Sequence, residues 1–510
     1  MINFFKKYRI FLTDAEKKFI KSNSQHSEFN NKKETIVFII NYDYYFLLLF
    51  KNYIKEKNIL NHYNVVGIWS TSVYPNKYKN FILYNLKKFL SILYDLIMYH
   101  KCKKIYSSIG FSKFYHYNFS LSNFYKKNEV CKIKINTLKD LSEIKFDDIL
   151  IGDLIHDSFI KFTSNPTIDF KNPILKKIIN KSLNILNFIK KIDSVLNYKI
   201  LISPYSSYLS FGPLVRYSLK HNKEVYTCGS MFSYFKKLSY DRPLHSENSL
   251  NFLNMFEKID NKKLKISSAK REMDKKFSGE KVVSNQYIAI NTYDSKFRKY
   301  HDVRLNNVNG VIFLHDFFDA AHDQENLLFN NFFEWADFTF NFINKKKLAI
   351  AIKTHPNSIN ESKKTEAYFK KKYPNLIWLK NNISNLNIFN KQNIKFGVSV
   401  NGSVLYELPY FNKVGISCGT NPTSAFKFNL NPNTIKQYKF YLENAQKKEF
   451  NKINIQEVYK MYYVYCMMNK DDVDLVCSNI NLLYYKSRIN YGGSELIRLN
   501  NLIDEQIKKK

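Results

Sequence analysis

The sequence predicts an α/β protein: two doubly wound domains facing a central cleft, followed by a helical C-terminal tail. Three observations carry that expectation. The chain has 510 residues, enough for two large domains. Apolar residues make up 45% and charged residues 24%, the balance of a chain that folds around cores rather than one that stays disordered or fills a bilayer. Short β-branched runs alternate with helical segments twice over, as parallel strands joined by helical crossovers do.

Residues 1–32 read as an N-terminal extension, and the first α/β stretch covers 33–235. Thr35–Ile40 is a β-branched strand closed by Asn41, Tyr42 and Asp43, and a helical pattern follows to Lys57. Val65–Trp69, Lys104–Ser107, Asp148–Ile151, Lys199–Ser203 and Glu224–Thr227 are the further strands, with a helix over Gly212–His221. Residues 236–305 interrupt this rhythm with a Pro243 turn and a lysine-rich stretch, Ile259–Gly279, and read as a linker or irregular subdomain. The rhythm resumes over 306–440: strand Val311–Leu314, helix Gln324–Ile343, strand Leu348–Lys353, helix Glu361–Lys372, strand Leu376–Leu379, short helix Asn385–Asn390, strand Ile394–Val400, helix Ser403–Pro409 and strand Val414–Ser417. That makes a second Rossmann-type domain. Residues 441–510 form the helical tail, broken at Gly492 and Gly493.

The formal charge is +35, from 79 Lys plus Arg against 44 Asp plus Glu. Alone this points to an anionic partner. Yet only eight of the basic residues are arginines, and the lysines are scattered in small groups. Specific nucleic-acid readers rely on the arginine fork, so no specific nucleic-acid partner is expected. A diffuse basic surface suits a peripheral contact with an anionic inner membrane. None of the six cysteines forms a C-x-x-C pair, which gives a zinc ribbon no support and places the chain in a reducing, cytoplasmic compartment. Phe81–Tyr99 has apolar residues at helical spacing but carries Lys87, Lys88 and Asp95; it is a core helix or an interfacial one, not a membrane span.

In open parallel sheets ligands sit beyond the carboxyl ends of the strands, so the residues after each strand matter most. Val311–Leu314 is followed by His315, Asp316, Asp319 and His322, four ionisable groups suited to proton transfer or to a metal. Lys353, Thr354, His355, Pro356 and Asn357 close the next strand; a lysine and a histidine there suit a phosphate. Asn401, Gly402 and Ser403 make a tight turn into a helix whose amides would face an anion. Glu407 lies four residues after Ser403, outside capping-box spacing, and so is expected to be free to accept bonds from sugar hydroxyls. In the first half, Asp153 after Asp148–Ile151 is a candidate acceptor-side base. Alternatives are a metal-dependent hydrolase or phosphatase using His315, Asp316, Asp319 and His322, and a non-catalytic protein that binds anionic surfaces by charge.

The segments GVIFLHDFFDAAHD, IAIKTHPN and FGVSVNGSVLYELPYFNKVGISCGTNPTSAFKF, with ILIGDLIHDSFIK in the amino half, resemble bacterial capsule and lipopolysaccharide glycosyltransferases of GT-B architecture, similar in style to Kdo transferases and His-Pro-motif sialyltransferases. The resemblance implies transfer of a sugar from a nucleotide-activated donor, CMP-linked acidic sugars among them, to a growing polysaccharide or lipid-linked saccharide. It implies a nucleotide-sugar co-substrate with no prosthetic group or metal. His355 would contact the donor phosphate, with Lys353 beside it. Ser403 and the neighbouring amides of Asn401 and Gly402 would hold the nucleotide phosphate and Glu407 the ribose. Asp316 or Asp319 would be the carboxylate near the anomeric carbon.

Overall fold

The computed structural model describes residues 11–70, 81–117, 135–228, 235–280 and 300–468, together with Val282, Ser284, Tyr293 and residues 496–497, 500–501 and 504–505; residues 26, 357, 381 and 451 are exceptions. The chain divides into two compact units. Unit 1 comprises Met1–Thr163, Ile168–His245 and Asn469–Lys510; unit 2 comprises Ser164–Thr167 and Ser246–Met468.

Unit 1 is wound on a six-stranded sheet. Its labelled elements are α1 (Asp14–Ser22), β1 (Glu34–Ile40), α2 (Tyr44–Glu56), β2 (Tyr63–Trp69), α3 (Phe81–Ser107), β3 (Lys113–Tyr115), α4 (Gly152–Thr163), α5 (Pro173–Leu196), β4 (Ile200–Ser203), α6 (Tyr208–Lys220), β5 (Glu224–Thr227) and β6 (Lys236–Lys237). The sheet order is β3-β2-β1-β4-β5-β6, parallel except for the β5–β6 pair. β1 is buried at every position after Glu34, so it needs apolar side chains on both faces, and Thr35–Ile40 reads accordingly.

Unit 2 contains α7 (Ser249–Lys258), α8 (Lys262–Ser278), β7 (Gly310–Phe313), α9 (Phe332–Lys345), β8 (Ile350–Lys353), α10 (Asn360–Lys372), β9 (Ile377–Trp378), α11 (Asn385–Phe389), β10 (Phe396–Val398), α12 (Val404–Tyr410), β11 (Val414–Ile416), α13 (Ile435–Asn444) and α14 (Ile455–Tyr462). Its five strands are all parallel, in the order β9-β8-β7-β10-β11. Both units thus carry the doubly wound 3-2-1-4-5 arrangement, in which the winding direction reverses beside the first strand.

Several sequence expectations are corrected. Lys104–Ser107 is the last turn of α3, not a strand; the unbroken helical pattern runs to Ser107, and β3 follows Gly110, whose φ of +102° needs a glycine. Asp148–Ile151 does not join the main sheet. Ile149–Leu150 pairs antiparallel with Lys145–Phe146 across Asp147 and Asp148, both left-handed, as a tight hairpin turn requires. The helix expected from Gln324 begins only at Phe332, because Asn326 is left-handed and Asn331 caps the helix by accepting the Glu334 N–H at 2.9 Å. The stretch 236–305 holds β6 and helices α7 and α8, and from Ser246 onward it belongs to unit 2. The apolar run Tyr287–Ile290 and the Gly492–Gly493 break lie outside the described residues. No helix among the described residues is long and apolar enough to cross a membrane.

Candidate anion-binding site at the carboxyl edge of the second sheet

With all strands of unit 2 parallel, the residues after β7, β8, β10 and β11 share one edge. The reversal of winding falls between β7 and β10, the position at which ligands bind in doubly wound sheets. Ser399 ties the loops after these two strands together: its hydroxyl lies 3.2 Å from the Phe313 carbonyl and 3.1 Å from that of Asn401.

On the β10 side, the backbone N–H groups of Val400, Asn401, Gly402 and Ser403 have no hydrogen-bond acceptor among the described residues. Successive unsatisfied amides of this kind form a concavity that favours an anion. Gly402 has φ of +145°, a conformation closed to L side chains, although a Cβ there would meet only Ser399 Oγ at 3.8 Å. The glycine is therefore required for conformation, not for space. The helix that follows, α12, is only seven residues long, and Ser403 makes no side-chain capping bond. The open amides therefore lie in the loop that leads into this helix.

On the β8 side, Lys353 is 2% exposed, and its ammonium has no hydrogen-bond or ion-pair partner among the described residues. Burial pushes its pKa down to about 8, against a partial opposing pull from Glu407. A lysine in such a place is costly for folding and is expected only where an anion comes to meet it. His355 follows two residues on. Burial, with help from His315 and Lys353, lowers its pKa to about 4, so at neutral pH it is an uncharged imidazole that donates one N–H and accepts at the other nitrogen.

The residues after β7 separate into two groups. His315 is partly exposed; its ring packs on Phe332, with 4.6 Å between centroids, and lies 6.4 Å from the ring of His355. Asp319 is exposed, with a carboxylate oxygen 3.7 Å from His315 Nδ1. Asp316, in contrast, is buried. It accepts the Phe318 N–H at 3.0 Å, the Ser362 hydroxyl at 2.9 Å and the Ile359 N–H at 3.3 Å, and so pins the loop to the start of α10. These three bonds make it an anchor for the loop rather than the reacting carboxylate expected from the sequence. His322 sits in a short 3-10 turn, Ala321–Asp323. No three of His315, Asp316, Asp319 and His322 bring ligand atoms close enough together to share a metal ion.

Two further expectations change. Glu407 is not a free acceptor: it is buried, forms an ion pair with Lys276 of α8 at 2.8 Å and accepts the Tyr293 hydroxyl. Lys276 also donates to the Tyr406 hydroxyl at 3.0 Å. Asp153, in the first turn of α4 in unit 1, forms a two-pronged pair with Arg216 of α6, whose guanidinium also donates to the Leu150 carbonyl at 2.6 Å. That carboxylate locks two helices together, which removes its availability as a base. Asn357 of the strand-end motif lies outside the described residues.

The sequence did not reveal the polar network that shapes the loop after β11. Asn431 Oδ1 accepts the Ser417 hydroxyl at 2.8 Å, Asn429 bonds the Gly415 amide and the Leu405 carbonyl, and Asn421 holds Thr423. In an asparagine-rich chain nothing marks these residues out. The partners of Glu407 were hidden for a similar reason, Lys276 being one lysine in a lysine-rich helix.

No protein-family model matches the chain, and no curated protein matches its sequence. Among solved structures it is similar to the Methanocaldococcus jannaschii UDP-GlcNAc 2-epimerase in complex with UDP-GlcNAc and UDP, at 10% identity and a TM-score of 0.29, over 84% of this chain and 97% of the other. It is also similar to a glycosyltransferase from Rickettsia africae, at 14% identity and 0.25, over 90% and 100% of the two chains. A third is Medicago truncatula UGT71G1 complexed with UDP-glucose, at 9% identity and 0.20, over 94% and 99%. The fold assignment rests on the strand orders and parallel pairings of the two sheets.

Proposed function

We propose that the protein is a glycosyltransferase that uses a nucleotide-activated sugar and that unit 2 binds the donor's phosphate. One observation carries the reading: a buried lysine, Lys353, with no hydrogen-bond or ion-pair partner among the described residues, at the same sheet edge as the open amides of Val400–Ser403. When the bond from sugar to nucleotide breaks, negative charge builds on the leaving phosphate. A desolvated ammonium and fixed N–H dipoles stabilise that charge without reorganising. His355, neutral, donates a hydrogen bond to the same phosphate rather than adding a second positive charge. Asp319, exposed and 3.7 Å from His315, is assigned the proton of the acceptor hydroxyl. The motif resemblance supports a cell-surface polysaccharide or lipopolysaccharide acceptor and includes CMP-linked acidic sugars among the donors.

A thermal-shift screen of the full chain against CMP, UDP, GDP and their sugars tests this. At least one should stabilise the wild type and fail to stabilise His355→Ala. If no nucleotide shifts the wild type, or the same shift persists in His355→Ala and Lys353→Met, the donor site has been misplaced.

A further inference from the structure

The amphipathic character of α3 divides into two faces. One packs into unit 1 through Met98, Tyr99, Cys102, Ile105 and Tyr106, all buried. The other shows Leu90 at 50%, Leu93 at 42% and Tyr94 at 39% exposure, with Ile97 partly exposed. Positions 90, 93, 94 and 97 fall on one helical stripe, and Lys101 continues it. Lys101 is buried, pairs with Glu16 of α1 at 2.9 Å and donates to the carbonyl of Phe11 at 3.0 Å. That bond fixes Phe11, itself 70% exposed, at the far end of the stripe.

The surroundings of this stripe are basic. α1, held to α3 through the Glu16–Lys101 pair, exposes Lys17, Lys18 and Lys21, and α3 exposes Lys103 and Lys104. An apolar stripe bordered by lysines has the composition of a surface that rests in the headgroup layer of an anionic bilayer. A second copy of the chain would bring the same positive border against this one, which like-charge repulsion disfavours.

We propose that the exposed face of α3, with Phe11 and the lysines of α1, is a docking surface for anionic lipid membranes. The inference is independent of the nucleotide reading, since none of these residues belongs to unit 2. Its test uses the full-length protein with vesicles of phosphatidylcholine alone and of phosphatidylcholine with phosphatidylglycerol, at low and high salt. Wild type should co-sediment with the anionic vesicles at least about tenfold better than with the neutral ones, and high salt should weaken this. Leu90→Ser/Leu93→Ser should lose binding by about tenfold, and Lys18→Glu/Lys21→Glu by several-fold, with unchanged melting temperatures because all four side chains are exposed. Phe440→Ser, which removes an equally exposed ring from α13 in unit 2, should bind as wild type. Equal binding to both vesicle types, binding to neither, or full binding by the leucine variant would overturn the proposal. So would a wild-type dimer that the leucine variant dissociates, which would assign the face to a second copy.

Discussion

Lys353→Met should make the protein more stable and, in the same change, abolish its affinity for nucleotide phosphate. The native ammonium is buried with no partner among the described residues, and its pKa falls from the ordinary value of 10.5 to about 8. At about 1.4 kcal/mol for each tenfold change in proton affinity, the charged form costs the native state about 3 kcal/mol. The sign follows from linkage. Below about pH 8 both native and unfolded chains hold the proton, and the cost is borne in full. Between about pH 8 and 10.5 the unfolded chain binds more protons than the native one, so stability rises with pH until the cost is relieved. Methionine removes the charge at nearly equal length. For a unit of this size the melting temperature should then rise by roughly 6–12 °C at neutral pH. Differential scanning calorimetry of both proteins at pH 7 and pH 10 measures this, since the gap should shrink at the higher pH. Nucleotide titration of the same samples should show binding to wild type and none to the variant. A lower melting temperature for Lys353→Met, with nucleotide binding intact, would show that the lysine serves the fold and not a ligand.

Three other outcomes are expected. Affinity for a nucleotide sugar, whose esterified phosphates stay ionised throughout, should be flat between about pH 5 and 7, because His355 is neutral down to about 4, and should weaken above about pH 8 as Lys353 loses its proton; isothermal titration across pH reads both limbs. Gly402→Ala should weaken nucleotide binding by about tenfold or more, because φ of +145° costs a Cβ-bearing residue about 1–3 kcal/mol and the loop of amides will relax away from it. Glu407→Ala should destabilise unit 2 by about 3–5 kcal/mol in denaturant melts by stranding Lys276, and a second change, Lys276→Met, should recover much of that loss; a Glu407→Ala protein of normal stability would mean the pair is not buried as described.

The fold was legible wherever a strand had to be apolar on both faces. Thr35–Ile40, Val311–Leu314 and Leu348–Lys353 stand out because a central parallel strand tolerates little else. β3 was not legible, since three residues at a sheet edge carry no periodic signal and the preceding helix ran further than its lysines suggested. At the site, the strand-end positions of Lys353, His355 and Gly402 could be read from order and turn chemistry. What the carboxylates do could not. Asp316, Asp319, Glu407 and Asp153 look alike in sequence, and only their partners separate them: backbone amides for Asp316, a buried lysine for Glu407, an arginine fork for Asp153, and an exposed position beside His315 for Asp319. Those partners come from other segments of the chain, which residue spacing does not encode.

The order in which the units are strung along the chain has a consequence for biosynthesis. Nearly all of unit 2 is one continuous stretch, Ser246–Met468, whereas unit 1 is completed by residues that follow it. Lys51, fully buried on α2, finds its counter-ion in Asp504 at 2.8 Å and also donates to Asn500, which accepts from Asn23 as well. During synthesis, then, the unit translated first must wait for Asn500 and Asp504 to leave the ribosome, while the inserted unit already has every strand it needs. A ribosome stalled while residues 500–504 are still inside the exit tunnel would carry a unit 2 whose strands are all made and a unit 1 whose buried lysine still lacks its acid. Such a nascent chain should show protease-resistant unit 2 and protease-sensitive unit 1.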